Sequence, residues 1–142
     1  MAFNSNNIYG GSNTSTYALL TYYGNDIKAF NNILCNRNGG YALYIQGTGV
    51  TESDYNDLFT TGTNLAYFSG NHSSLSALQT ATGDEANSMS TDPLFTANDN
   101  LHLYISKLDS AGTPITGIPQ DIDKDTINTT HPDIGADEFN SL

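Results

Sequence analysis

Acidic side chains are the groups in this sequence whose possible chemistry is easiest to specify. Glycoside hydrolysis needs two carboxyl groups roughly 5 to 10 Å apart. Asp54, Asp57 and Asp92 would come that close if they occupied adjoining layers of one repetitive structure. They are the candidate catalytic residues of a hydrolase. The alternative is that they are solvated corner residues, which any acidic repeat protein would bring equally close.

A second acidic group has the spacing of a possible metal site. Asp121, Asp123 and Asp125 alternate with other residues, so an extended loop would place their oxygens on one side, as Ca²⁺ requires. An EF-hand loop would have Gly at its sixth position and Glu at its twelfth, where this chain has Thr126 and Pro132. The candidate cofactor is therefore Ca²⁺, and the alternative is a solvated acidic loop.

The remaining reactive residue types give weaker signals. His72, His102 and His131 lie in different segments, without the spacing of a zinc site or a visible Ser-His-Asp set. They are interpreted as structural or surface residues. The single cysteine, Cys35, stands in an apolar stretch and is predicted to be packed inside the protein.

Charge limits the classes of partner. The chain has 142 residues and a net charge of -11, and eleven of its fifteen acidic residues follow residue 80. Such a surface repels phosphate backbones, so nucleic acid is not an expected partner. Apolar runs are too short for a membrane span, so membrane insertion is not expected either.

A repeat organises these residues. Apolar blocks begin at Tyr17, Tyr41 and Leu65, so consecutive blocks are 24 residues apart, and Asn32 and Asn56 keep the same spacing. Short apolar blocks separated by Gly, Asn and Thr are typical of strands, not of helical repeats. The repeat therefore predicts an all-β solenoid, a right-handed parallel β-helix in which each rung stacks on the one before.

The repeat also predicts which residues stack. Asn7, Asn32, Asn56 and Asp92 are expected to form a column where the chain bends between strands. Odd positions from Tyr17 onward are assigned mostly to the core, and even positions to the outside.

The outer face is predicted to carry a ladder of Leu20, Tyr44, Phe68 and Tyr104. Flat aromatic stacks can receive the apolar faces of sugar rings, which makes Tyr44, Phe68 and Tyr104 the candidate ligand-binding residues. The alternative is that an inserted helix or a partner chain covers the ladder.

The pattern returns after a longer interval. Asp92 lies 36 residues beyond Asn56, which predicts about four rungs with one insertion within residues 71–86. Ser74 followed by Leu75 and Leu78 predicts a short capped helix there, ending near Gly83.

The last third of the chain carries a recognisable series of motifs. They are Asp92-Pro93-Leu94-Phe95, Leu101-His102-Leu103, Asp121-Ile122-Asp123 and the segment Asp133-Ile134-Gly135-Ala136-Asp137-Glu138-Phe139. The series resembles the closing segment of bacterial right-handed parallel β-helix proteins of the pectin-lyase-like superfamily. The sequence departs from that family at Lys107-Leu108, where Pro-Ala is usual, and at Lys124, where Gly is usual.

The resemblance implies an extracellular or cell-surface parent protein. Many members are polysaccharide lyases, glycoside hydrolases or adhesin-like proteins, and their catalytic rungs usually lie upstream of this ending. Lyases of this fold use Arg or Lys to abstract a proton, and the four basic residues here share no ladder position. The leading hypothesis is a non-catalytic, glycan-associated C-terminal module. The alternative is a fragment of a polysaccharide lyase or glycoside hydrolase.

Domain and assembly expectations follow from the solenoid. Residues 1–142 are expected to form one domain, a C-terminal piece of a larger protein, because residues 3–9 look like rung material without a cap. An open, uncharged first rung would recruit another strand, so a homodimer through the N-terminal rungs is predicted. A monomer whose first residues fold back as a cap is the alternative.

Overall fold

The computed structural model describes residues 1–103 and 107–140. Within these ranges the backbone forms nine short strands and one helix. The strands are β1 (Ser5–Ile8), β2 (Tyr17–Tyr22), β3 (Ile27–Phe30), β4 (Ile33–Asn36), β5 (Tyr41–Gln46), β6 (Val50–Asp54), β7 (Asp57–Thr60), β8 (Ala66–Phe68) and β9 (Asn71–His72), and the helix is α1 (Leu75–Thr82). The all-β prediction is confirmed.

Strands pair with the third strand before or after them in the chain. One sheet has the order β1-β4-β7, a second has β2-β5-β8-β9, and a third has β3-β6. All pairs are parallel except β8 with β9. The first repeat is thus β1 to β3, the second β4 to β6, and the third contributes β7 and β8. The predicted parallel stacking of the 24-residue blocks is present for these three repeats.

The registers show where the 24-residue period holds. Tyr17 pairs with Tyr41 as predicted, but Tyr44 pairs with Tyr67, an offset of 23. β4 and β7 keep the offset of 24, so the connection from β7 to β8 is one residue shorter than that from β4 to β5. A slip of one residue changes which side chains share a face. The predicted stacking of Tyr44 on Phe68 is therefore wrong.

A buried ladder of asparagines runs through all three repeats. The Nδ2 of Asn4 donates to Oδ1 of Asn32 at 2.9 Å, and the Nδ2 of Asn32 donates to Oδ1 of Asn56 at 2.9 Å. We call these three residues the asparagine ladder. Asn7 was predicted to begin it but instead lies opposite Cys35. The first repeat is 28 residues long here, three more than the sequence comparison assumed, because its loop after β1 is longer.

The core inside the three sheets contains aliphatic residues from every layer. Leu34, Leu43 and Leu58 belong to it and are almost fully buried. Ala42 is also fully buried, although even positions were assigned to the outside. Because Ala42 and its neighbour Leu43 are both buried, strict alternation breaks in β5, and the odd-position Tyr41 stays partly exposed.

The predicted helix is confirmed. Ser74 caps its N-terminus by accepting a hydrogen bond from the amide of Ala77, and Gly83 ends it in the left-handed conformation, with φ of 78°. Leu78 has no exposed surface and joins the core cluster. The helix therefore extends the core beyond the third repeat.

The predicted fourth rung is not formed by the described residues. Residues 92–95 and 101–103 carry no strand, and Tyr104 lies outside the described residues. Asp57 and Met89 form an isolated parallel bridge, so the chain begins another layer there without continuing it. This rung is absent from the described residues because the C-terminal segment packs against the first sheet and does not continue the stack.

The described residues of the C-terminal segment, 92–103 and 107–140, pack against the outside of the β1-β4-β7 sheet. β4 is buried on both faces: Leu34 joins the inner core, whereas Ile33 and Cys35 pack in a second cluster with Leu103 and Ile134. The further members of this second cluster are Leu108 and the partly buried Phe59, Met89, Phe95, Ala111 and Phe139. We call the C-terminal segment, residues 92–103 and 107–140, the cover.

Candidate functional site

Four tyrosines from three repeats gather on the surface of the second sheet. Tyr17, Tyr41, Tyr44 and Tyr67 are all partly buried and make ring contacts with one another. We call them the tyrosine cluster. Parallel pairing of β2, β5 and β8 brings them together, since successive repeats place neighbouring side chains about 4.8 Å apart.

The rings are ordered and not merely adjacent. Tyr44 and Tyr67 stack with 4.4 Å between ring centroids and 8° between ring planes. Tyr17 and Tyr41 stack at 5.9 Å, and each meets Tyr44 edge-on, at 4.7 and 5.2 Å. Such stacked and edge-on contacts are the favoured geometries of aromatic pairs. Desolvation by this packing, together with the neighbouring phenols, raises the pKa of Tyr44.

A polar cleft opens beside the rings. It has a volume of about 410 Å³ and includes Tyr17, Tyr41 and Tyr44 in its lining. Its other lining residues are Thr14, Ser15, Gly39, Gly40, Thr63 and Asn64. Hydroxyl, amide and backbone groups thus stand next to an aromatic platform, and none of the lining residues is charged.

Close packing of glycine loops sets the shape of this cleft. A Cβ added to Gly40 would lie 2.1 Å from the carbonyl oxygen of Thr16, and one added to Gly62 would lie 2.2 Å from that of Gly39. Any side chain at these positions would push the loops of successive repeats apart. The backbone therefore requires glycine here to keep the cleft beside the tyrosines.

The candidate ligand-binding residues have different outcomes. Tyr44 lies in the tyrosine cluster. Phe68 packs against the inner core instead, because of the one-residue shift in β8. Tyr104 lies outside the described residues. Sequence reasoning missed Tyr17, Tyr41 and Tyr67 as ligand-binding candidates, because all three stand at odd positions, which were assigned to the core. The one-residue shift in β8 is what brings Tyr67 beside Tyr44.

Two of the three candidate catalytic carboxylates are held by structural contacts. Asp54 accepts hydrogen bonds from the backbone and side-chain amides of Asn87, at 2.7 and 2.8 Å. Asp92 forms a two-pronged ion pair with Arg37, and this contact holds the pKa of Asp92 below its usual value. A carboxylate held in this way is ionised and already occupied, which does not suit a general acid.

Asp57 differs from the other two because it is fully buried. Its Oδ1 accepts a hydrogen bond from the amide of Thr91 at 2.9 Å, and its Oδ2 has no hydrogen-bond partner among the described residues. Desolvation raises the pKa of Asp57 to about 7. The raised pKa would suit proton transfer, but a substrate would have to pass the cover to reach this carboxyl.

The acidic loop is organised by Asp121. Its Oδ1 accepts the amides of Asp123 and Asp125, at 2.9 and 2.8 Å, and its Oδ2 accepts the amide of Glu138 at 3.0 Å. Asp121 therefore acts as a turn-forming residue. The side chain of Asp123 points toward His102 instead, with its Oδ2 2.7 Å from Nε2 of the imidazole.

Comparison with protein-family models, with curated proteins and with solved structures gives no match to this chain. Over the described part of the chain, α1 and any other helical stretch fall short of the length and apolar character needed to cross a bilayer.

Proposed function

We propose that this chain is a right-handed parallel β-helix related to the pectin-lyase-like superfamily. Parallel pairs that join every third strand, with offsets of 23 to 28 residues, support this assignment. Right-handedness is the general rule for connections between parallel strands of one sheet. The C-terminal motifs of that superfamily would then serve to close the outer face of the first sheet and not to extend the stack.

We propose further that the module binds glycans without cleaving them. The observation that carries this proposal is the tyrosine cluster standing beside an uncharged polar cleft. Aromatic rings offer flat apolar surface to the carbon-bound hydrogens of a sugar ring, and the polar lining offers partners for its hydroxyls. Contiguous aromatic surface that stays partly exposed is a feature of binding sites.

Charge and reactivity narrow the ligand class. The net charge of -11 disfavours polyanionic chains such as polyuronates, so neutral glycans are the expected ligands. Asp54 and Asp92 are held by Asn87 and Arg37, which argues against the alternative of a hydrolase fragment. The parent protein is proposed to be extracellular or at the cell surface, where such glycans occur.

Binding is tested with the intact chain and a panel of soluble neutral and uronate oligosaccharides. The protein has nine tyrosines and no tryptophan, so its fluorescence comes from tyrosine, and four of the nine belong to the cluster. Calorimetry measures the affinity independently. We expect saturable binding of a neutral glycan, weakened at least tenfold in Tyr44→Ala. Tyr9→Ala is the matched control, because Tyr9 is 46% exposed and lies outside the cluster.

The same samples separate binding from catalysis. Mass spectrometry of the oligosaccharides after incubation is expected to show no cleavage. Cleavage that is lost in Asp57→Asn would favour the enzyme-fragment alternative. Absence of binding by the wild-type protein, or equal binding by a folded Tyr44→Ala variant, would refute the glycan-binding proposal.

A further inference from the structure

A histidine and two aspartates from distant parts of the cover meet at one point. His102, Asp123 and Asp137 each place one ligand-type atom within 4.8 Å of the other two. They share no residue with the tyrosine cluster. Their spacing along the chain is irregular, which is why the sequence gives no metal motif for them.

The protonation pattern of His102 is fixed by a neighbouring amide. Oδ1 of Asn100 accepts the backbone N–H of His102 at 3.2 Å, which identifies this atom as the amide oxygen. The same oxygen contacts Nδ1 of the imidazole. Since an amide oxygen can only accept, Nδ1 must carry a hydrogen. In the neutral ring Nε2 then has the free lone pair, the arrangement that metal-binding histidines show when a second group orients them.

Nε2 of His102 is the ring nitrogen that faces the two carboxyl groups. Nε2 of His102 lies 2.7 Å from Oδ2 of Asp123. Without a metal ion this contact is a hydrogen bond from the protonated imidazole, which raises the pKa of His102. Bound zinc would take the place of that proton, and both atoms would become its ligands. Two ligands about 2.0 to 2.2 Å from a tetrahedral zinc ion lie about 3.3 to 3.6 Å apart. Nε2 of His102 and Oδ2 of Asp123 would therefore have to move apart only slightly to bind the same ion.

The third residue supplies a buried negative charge. Asp137 is 7% exposed, and its Oδ2 accepts one long hydrogen bond, 3.4 Å, from the amide of Leu103. Burial raises the pKa of this carboxyl. A desolvated carboxylate with so little hydrogen-bond compensation is stabilised by a cation that it can contact directly.

We propose that His102, Asp123 and Asp137 bind a divalent transition-metal ion of the zinc type. One imidazole nitrogen with two carboxylate oxygens suits Zn²⁺, whereas Ca²⁺ takes oxygen ligands alone. Half-exposed Asp123 leaves the remaining coordination positions open to water. The ion ties the 101–103 segment, the acidic loop and the end of the cover together over the first sheet.

The experiment uses the untagged full-length chain after dialysis against a chelator. Calorimetric titration with Zn²⁺ is expected to give one site per chain, and Zn²⁺ is expected to raise the melting temperature by mass action. Both effects should weaken at least tenfold in His102→Asn and Asp123→Asn. They should persist in the matched controls His131→Asn and Asp125→Asn, which change exposed residues of the same types.

A measurement on the wild-type chain guards against variants that fail to fold. Zinc binding is expected to shift the ¹⁵N resonance of the His102 Nε2 while leaving those of His72 and His131 in place. Unchanged His102 resonances, no zinc binding, or equal binding by the two ligand variants would mean that the trio is only a protonated ion pair. Preferential Ca²⁺ binding that is lost in Asp125→Asn would overturn the proposal in favour of the acidic loop alone.

Discussion

Asn32 and Asn56 are joined twice across one repeat, because Oδ1 of Asn56 accepts both the backbone and the side-chain amide of Asn32, at 3.0 and 2.9 Å. The Nδ2 of Asn56 in turn donates to the carbonyl of Ala29, to Ser53 and to Glu85. Asn32 and Asn56 lie where the chain bends between strands, whereas Ala29 and Ser53 lie within β3 and β6. A single amide thus satisfies groups from three layers.

Asn56→Ala should be strongly destabilising for that reason. It leaves the buried Asn32 amide and the Glu85 carboxylate short of partners, which costs about 2 to 4 kcal/mol of unfolding free energy. Urea unfolding followed by circular dichroism measures the loss. Asn98→Ala, at an exposed position, is the control and should change stability by less than about 0.5 kcal/mol. Equal effects of the two substitutions would contradict the ladder's structural role.

Asp57→Asn should stabilise the protein at alkaline pH. The pKa of Asp57 is raised to about 7 in the folded chain, chiefly by desolvation, so the folded state holds a proton that the unfolded state releases near pH 4. The stability that depends on this proton is complete below pH 4 and is lost as the pH rises through 7. Asparagine keeps the Thr91 hydrogen bond without the charge, and the expected gain at pH 8 is roughly 2 to 4 kcal/mol.

Measuring the unfolding free energy at pH 5 and pH 8 tests whether stability falls as the pH rises. The wild-type protein should be less stable at pH 8, and Asp57→Asn should reduce the difference. A smaller slope should remain, because burial also raises the pKa values of Glu85 and Asp133, the latter to about 6. Asp99→Asn, which alters an exposed carboxylate, should leave the wild-type slope unchanged. A gain for Asp57→Asn that is equal at both pH values would disprove the assignment.

Arg37 should fasten the cover to the second repeat. Its guanidinium donates to both oxygens of Asp92 and stands 5.3 Å from the centroid of the Phe59 ring. Arg37→Ala removes a half-buried, two-pronged pair and a cation–π contact, at a cost of about 1 to 3 kcal/mol. Limited proteolysis should then cut within residues 92–103 sooner than in the wild type.

Lys28→Ala supplies the comparison for this prediction. Lys28 pairs with Glu52 at 2.6 Å, but both side chains are about half exposed. Such a pair contributes little to stability because water screens it. If Lys28→Ala speeds proteolysis of the cover as much as Arg37→Ala does, the specific role of Arg37 is lost.

Two copies of the chain should associate through the first repeat. β1 and β2 stand at the ends of their sheet orders, and Met1 to Phe3 run beside β3 through a bridge from Ala2 to Phe30. Edge strands recruit partners. Light scattering at micromolar concentration should therefore give about twice the 15.2 kDa chain mass. Ile8→Asp should return the mass to that of one chain, and Ile118→Asp should not. A wild-type mass of one chain would rule out the dimer.

Local signals in the sequence were sufficient for some elements. Ser74, the spacing of Leu75 and Leu78, and Gly83 predict α1, because capping and helical periodicity act within a few residues. The 24-residue period predicts the parallel pairing, since stacked repeats must present equivalent residues to one another.

Differences in loop length made the predictions of individual stacked residues wrong. One residue fewer before β8 exchanged Phe68 for Tyr67 on the tyrosine cluster, and three more after β1 exchanged Asn7 for Asn4 in the asparagine ladder. A repeat comparison cannot place such changes, because only backbone pairing fixes them. The 36-residue interval before Asp92 predicts a fourth rung, which the described residues of the cover do not form. The meeting of His102 with Asp123 and Asp137 therefore has no counterpart in residue spacing.

The contact between Ser5 and the end of the cover has a kinetic consequence. The amide of Ala136 donates to Oγ of Ser5 at 3.0 Å, across 131 residues of chain. Closing so large a loop is entropically unfavourable and slow, so this contact should form late in folding. During synthesis, Ile33 and Cys35 would face water until nearly the whole chain had left the ribosome. The strands most deeply enclosed in the finished protein are thus the ones that wait longest for their second face to be covered.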